Sequence, residues 1–249
     1  ALDFETTPSY SITIAADDPD NGALALGAQA FTITVTDVEI TITASQSGSV
    51  AENANNNAAV MTVATTGDAD GNDFAIASGN GDAIFAINAA SGAITIADNS
   101  NLDYDTTTSY TLGITVSDGD TQDSEDVTIN IVNVDEAPTA ISLSTTSVAE
   151  TSSAGSTVAV ITVTDPDSGE SYSADDVTLA GDDAGEFTIT DSGGDIVLQH
   201  DNALDYEDTT SYSITIAADD PDDGNLALGA QAFTISVTDV EITITSSQA

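Results

Sequence analysis

The 249-residue chain carries 43 Asp and Glu, a single His and no Lys or Arg, a formal charge of −43. Nucleic acid and anionic membrane surfaces are poor partners for such a polyanion, because binding to either depends on Lys and Arg. No apolar run approaches the eighteen or so residues of a membrane span, and without cysteine no disulfide can form.

Disorder is the usual outcome of high charge with few aromatics, but hydrophobic residues make up 40% of this chain and alternate with polar ones over long stretches. Acidity also keeps proteins soluble in concentrated salt, where the Debye length shrinks to a few ångströms. That accounts for many of the acids, though not for acids that recur at fixed positions. Core packing and metal ions remain as the means of stapling the fold. Ala1 is neither an initiator Met nor the start of a signal peptide, so a mature chain or a piece of one is expected.

The first phrase, Leu2-Asp3-Phe4-Glu5, recurs as Leu102-Asp103-Tyr104-Asp105 and Leu204-Asp205-Tyr206-Glu207, each time followed by threonines and Ser-Tyr. Spacings of 100 and 102 residues mark tandem units the size of one antiparallel sandwich. In an extended strand the phrase would send its aromatic to one face and both acids to the other. Tyr10, Ile12 and Ile14, then Phe31, Ile33 and Val35, alternate with polar residues around a loop at Asn21-Gly22. Residues 1–44 nearly repeat 203–245, so they read as the closing half of a unit, either the cut end of a longer array or a half completed by another chain.

A whole unit spans 45–136. Val50 and Glu52 stand in its opening strand and Val60–Val63 in the second, before an acidic loop at Asp68-Ala69-Asp70. Phe74 and Ile76, then Ile84, Phe85 and Ile87, flank an Asn80-Gly81 turn. Ile94–Ile96 precedes the second copy of the phrase, and Leu112, Ile114 and Val116, then Val127, Ile129 and Ile131, complete the unit. Residues 137–249 repeat the plan: Val148 and Glu150 answer Val50 and Glu52, and Asp165-Pro166-Asp167 answers the acidic loop. Phe187, Ile189, Ile196, Leu198, Tyr212, Ile214, Ile216, Phe233, Ile235 and Val237 supply its alternation. No segment keeps a 3.6-residue period over helical length. The predicted fold is all-β: two seven-stranded sandwiches and the tail of a third, in linear array.

The recurring acids form five groups: a Glu after the first strand, the Asp-x-Asp loop, the Leu-Asp-aromatic-acid phrase, an Asp near the end of the sixth strand, and acids at the unit boundary. In this order and period the chain resembles a cadherin-type repeat array, in the version found in large bacterial secreted adhesins. The resemblance implies Greek-key sandwiches with calcium at each junction between repeats. Carried over residue by residue, one junction takes Glu52, Asp103, Asp105, Asn133, Asp135, Glu136, Asp165, Asp167 and Asp220. An earlier one takes Asp3, Glu5, Asp37, Glu39, Asp68, Asp70 and Asp118, but Asp37-Val38-Glu39-Ile40 has Ile where the family puts an acid, and it lacks the Pro. An all-oxygen set suits calcium, which takes six to eight oxygen ligands, better than zinc or Mg²⁺.

The bland readings are turn capping for Asp73, Asp82, Asp123 and Asp182, and a solvated surface His200 in a loop beside Asp201. Either member of Asp17-Asp18 or Asp219-Asp220 could be the ligand of its pair. Paired carboxylates can also hydrolyse glycosides, but the same pairs recur in every unit, as structural parts do. There is no Trp, and of six Tyr only Tyr172 lies outside the repeated core positions, free for carbohydrate contact. The expected function is a non-enzymatic, calcium-rigidified extracellular spacer or filament segment of a cell-surface adhesin. Its partners are calcium, neighbouring repeats of the same or an adjacent chain, and a surface glycan or protein. The alternatives are a direct adhesive module, homophilic or glycan-binding, and a polymer subunit completed by strands of a neighbouring chain.

Overall fold

A computed structural model describes the chain apart from residues 1, 5, 21–25, 68–71, 120 and 242–249. Regular structure among the described residues is β, relieved only by 3₁₀ turns at Ala174–Asp176 and Ala184–Glu186. No helix is long and apolar enough to cross a membrane. The chain divides into two compact units, Ala1–Val134 and Asp135–Ala249.

In the first unit β1 (Ser9–Ala16) and β2 (Leu26–Thr34) form an antiparallel hairpin with Ile12 opposite Phe31 and Tyr10 opposite Ile33. Its apolar stripe is bare: Ile12, Ile14, Phe31 and Ile33 are 40%, 53%, 50% and 48% exposed. The sandwich follows as β3 (Thr41–Ile42), β4 (Ser47–Ala51), β5 (Ala59–Thr62), β6 (Thr65–Thr66), β7 (Asp73–Ser78), β8 (Phe85–Ile87), β9 (Ala93–Ile96), β10 (Ser109–Ser117) and β11 (Gln122–Val132). One sheet runs β4-β11-β10-β7; β5-β9-β8 and the pair β3-β6 lie apart from it. The opening strand is thus broken in two: β3 pairs antiparallel with β6, and β4 pairs parallel with β11.

Alternation dictates the core. Leu112, Ile114 and Val116 from β10 and Val127 and Ile129 from β11 are fully buried with Ile84, Ile94 and Ile96, each contributing roughly 1.5–3 kcal/mol of burial. Ile40 and Ile42 lie in the same core although they precede residue 45. The Ser-Tyr that follows the second phrase packs Tyr110 edge-on against Phe85, centroids 5.3 Å apart.

Asp123 does not cap a turn; it stands in β11 and accepts the Ile42 amide at 2.7 Å, fixing the entry of the chain into the sandwich. After β7 the chain turns at Gly79 with φ +81°, and a Cβ there would sit 1.9 Å from the Thr111 carbonyl oxygen. Gly79→Ala is therefore expected to destabilise this unit by at least about 2 kcal/mol, combining a left-handed backbone with a clash against a strand that cannot retreat. Urea unfolding by circular dichroism measures it.

The second unit holds β12 (Ala140–Leu143), β13 (Ser147–Ala149), β14 (Thr157–Thr164), β15 (Val177–Ala180), β16 (Phe187–Ser192), β17 (Asp195–His200), β18 (Ser211–Asp219) and β19 (Ala227–Thr238). They form two four-stranded sheets, β12-β14-β17-β16 and β13-β19-β18-β15, with β13 parallel to β19. Phe187 and Tyr212 repeat the aromatic edge contact at 5.4 Å. Ile214, Ile216 and Ile235, the counterparts of Ile12, Ile14 and Ile33, are 1%, 0% and 0% exposed.

His200 is not a solvated loop residue. It ends β17 opposite Phe187 with no exposed surface; its Nδ1 lies 2.9 Å from the Asn202 carbonyl and its Nε2 has no partner. Counting by twos from Ile196 and Leu198 carries position 200 to the buried face.

Candidate metal centres

Parallel pairing of the opening strand with the closing one decides where the first acid of each unit lands. As β4 ends, the Glu52 amide donates to the Val132 carbonyl, so Glu52 lies against the segment leaving β11. Its carboxylate is buried and accepts two backbone amides, Tyr104 at 2.5 Å on Oε2 and Val134 at 2.6 Å on Oε1. One side chain thus fastens the Leu-Asp-Tyr-Asp phrase to the end of the unit.

The phrase itself is a turn rather than the strand its alternation suggested. Asp103 accepts the Thr106 amide at 3.0 Å and its hydroxyl at 2.8 Å, and these bonds hold its carboxyl below the usual carboxylate range. Leu102 is buried and Tyr104 packs on the core, while Asp103 stands exposed and Asp105 half-buried beside Glu52. These three offer carboxylate oxygens within 4.8 Å of one another. Asn133 follows β11 in an exposed position.

The second unit repeats the device. Glu150 accepts the Tyr206 amide at 3.1 Å and the Val240 amide at 2.7 Å. It joins Glu207 and Asp239 in a group with the same 4.8 Å span. None of these three was among the residues carried over, although Glu150 answers Glu52, and Glu207 occupies the place of Asp105 in the repeated phrase.

The opposite end of β19 carries two more groups, about 40 Å away at the rise of an extended strand. One joins Asp135, Asp167 and Glu170; the other joins Asp165, Glu170 and Asp220. Asp167 accepts the Glu136 amide at 2.6 Å, and Asp165 accepts the Asp167 amide at 2.9 Å. Tyr172 donates its hydroxyl to Asp165, so the tyrosine expected to be free for carbohydrate is engaged and half-buried against the core. Asp220 is 3% exposed; its Oδ1 takes the amides of Asp222 and Asp223, and its Oδ2 is buried without a partner.

Crowding shows in the proton affinities. Desolvation, then the charges of Asp220 and Asp167, raise the Asp135 carboxyl. Desolvation, then Asp165 and Asp220, push Glu170 up to about 7. Tyr172 is driven upward by burial and by its bond to Asp165.

Glu170 gives a testable pH dependence. In the folded chain without metal it keeps a proton between about pH 4.5 and 7 that the unfolded chain has lost. Its contribution to stability is thus complete below 4.5 and declines as pH rises to 7. Unfolding in chelator at pH 5 and pH 7 is expected to show a decline with pH that Glu170→Gln reduces. Asp103, whose carboxyl is lowered, acts below 3.8, outside this window.

The remaining candidates are dispersed. Asp3 caps a turn through the Thr6 amide and hydroxyl, as Asp103 does. Asp118 is buried at the tip of the β10–β11 hairpin and accepts the amide and hydroxyl of Thr121. Asp37 is half-buried and Glu39 exposed. No group of three carboxylates unites these four among the described residues. Glu5, Asp68 and Asp70 lie outside the described residues.

Every group that does form is built from oxygen ligands alone, in a chain with no Lys or Arg to neutralise it. Two unit charges about 4 Å apart repel by about 1 kcal/mol in water and about 4 kcal/mol at a protein surface. Hard cations that accept many carboxylate oxygens fit this donor set, calcium above all, and the unpartnered buried oxygen of Asp220 supports the fit.

The Cadherin domain family pattern matches residues 46–135 and 144–245. Cadherin EGF LAG seven-pass G-type receptor 2 of Mus musculus is 31% identical over 227 residues, covering 88% of this chain. Protocadherin Fat 4 of the same species is 30% identical over 226 residues, again 88% of the chain. The chain spans only 8% and 4% of the lengths of these two relatives. Among solved structures, Protocadherin Gamma B2 extracellular cadherin domains 1-5 align with a TM-score of 0.62 at 26% identity, covering 96% of this chain and 47% of that one. PcdhgB3 EC1-4 aligns at 0.65 and 25% identity, covering 96% and 59%. These curated relatives are animal proteins and lend no support to the bacterial affiliation expected from the sequence. The chain belongs to the cadherin family, as two cadherin domains in tandem preceded by a β-hairpin that repeats the closing strands of the second.

Proposed function

We propose that this chain is a calcium-binding extracellular segment of a cell-surface adhesion protein, acting as a stiff, non-enzymatic spacer or filament part. The observation that carries the reading is that carboxylates gather at the loop ends of the sandwiches, at both ends of the second unit, with no Lys or Arg to neutralise them. Without cations such ends repel their neighbours and successive repeats swing freely. Calcium reverses the sign, drawing carboxylates of successive repeats onto shared ions and turning flexible beads into a rod. Such a rod holds a distal binding module away from the cell. Small-angle scattering in calcium and in chelator tests it: a larger maximum dimension and narrower distribution are expected in calcium, and identical curves overturn the reading.

Tyr172, the tyrosine named for glycan contact, donates its hydroxyl to Asp165 and packs half-buried against the core, which disfavours it as a glycan platform. The bare face of the β1–β2 hairpin favours a second reading, completion by strands from a neighbouring chain, since the near-identical β18–β19 face is covered in its own unit. A concentration-dependent ladder in size-exclusion chromatography supports it, and a single monomer peak at all concentrations removes it.

A further inference from the structure

We propose that Glu170 is a ligand shared by two neighbouring cation positions in the second unit, with Tyr172 as a positioning residue that orients Asp165 beside it. This rests on the calcium reading above but concerns residues outside the five recurring groups of acids. Glu170 is the common member of two carboxylate triads, with Asp135 and Asp167 on one side and Asp165 and Asp220 on the other. A carboxylate has two oxygens and can serve one cation with each. Its Oε2 is buried and without a partner.

Beyond the spacing of the triads, Asp220 is more than nine-tenths buried, and with Oδ1 occupied by two amides its Oδ2 has no hydrogen-bond partner. An orphaned buried carboxylate oxygen is unfavourable until something positive or a proton donor reaches it. No Lys or Arg can, because the chain has none. Between the Asp165-Pro166-Asp167 loop and Glu170 the chain turns at Gly169, φ +93°, and Glu170 offers a carboxylate oxygen within 4.8 Å of those of Asp165 and Asp167. The Tyr172 hydroxyl then fixes one oxygen of Asp165 while the Asp167 amide holds the other at 2.9 Å, leaving lone pairs of both for a cation.

Calcium binding to the intact 249-residue chain, stripped by chelator, is measured by calorimetry, with bound ions counted by native mass spectrometry. Glu170→Gln is expected to weaken two ions about tenfold or more, in line with the loss of an ordering carboxylate at a metal site. Glu170→Asp keeps the charge, shortens the reach and weakens the same two. The chain has no Trp, so terbium emission excited through the protein comes from tyrosine, and Tyr172→Phe is expected to remove the share sensitised at this site while Tyr104 and Tyr206, beside the other carboxylate groups, keep theirs. If Glu170→Gln binds as wild type does while Asp220→Asn loses ions, Glu170 is no ligand and the calcium reading survives. Weakening of a single ion refutes the sharing. Unchanged binding by Asp220→Asn overturns the calcium reading itself. Full terbium emission from Tyr172→Phe removes Tyr172 from the site.

Discussion

Saturating calcium is expected to raise the melting midpoint of the chain by about 10 °C or more over its value in chelator. A ligand at a hundred times its dissociation constant adds about 2.7 kcal/mol per site to the folded state. For units of about a hundred residues each kcal/mol is worth roughly 4–8 °C. The effect is large because the alternative is poor: Asp135, Asp165, Asp167, Glu170 and Asp220 crowd one end of the second unit, and the chain has no Lys or Arg to answer them. Calorimetric scans in calcium and in chelator measure the difference, and coincident transitions refute it. Sodium chloride is the control, because screening relieves exposed charges but leaves the buried Asp220 oxygen without a partner.

Glu52→Ala is expected to cost about 2–4 kcal/mol even in chelator. The side chain is buried and gathers two backbone amides from segments distant in sequence, Tyr104 and Val134. Removing it strands both donors and frees the phrase around Asp103 from the end of β11; bonds to a charged acceptor are worth about 1.5–3 kcal/mol each. Glu150→Ala is the internal comparison. Its carboxylate makes the equivalent bonds to Tyr206 and Val240, one longer at 3.1 Å, from a more exposed position, so a smaller loss is expected. Urea unfolding in chelator separates this structural role from metal binding. Equal and negligible losses for both variants refute it.

Much of this architecture was legible in the sequence, because a sandwich strand writes its burial in steps of two. Leu112, Ile114 and Val116 read as core and are core. The phrase was legible as a landmark but not as a shape: alternation alone could not reveal that Thr106 would close a turn on Asp103 in place of a strand partner. Glu170 was invisible, since it belongs to no recurring group and its role arises only when the chain turns at Gly169. His200 was misread through its neighbour Asp201, although the step of two from Ile196 and Leu198 pointed it inward. Asp123 looked like a loop residue because its partner, the Ile42 amide, lies 81 positions away.

The buried histidine has a practical use. It is the chain's single imidazole, so its ring protons give signals in a magnetic resonance spectrum that overlap with those of no other histidine. Sealed at the end of β17 against β16, they register the opening of that edge of the second sandwich. A tandem protein whose halves look alike to most spectroscopies thus carries a native label on one of them.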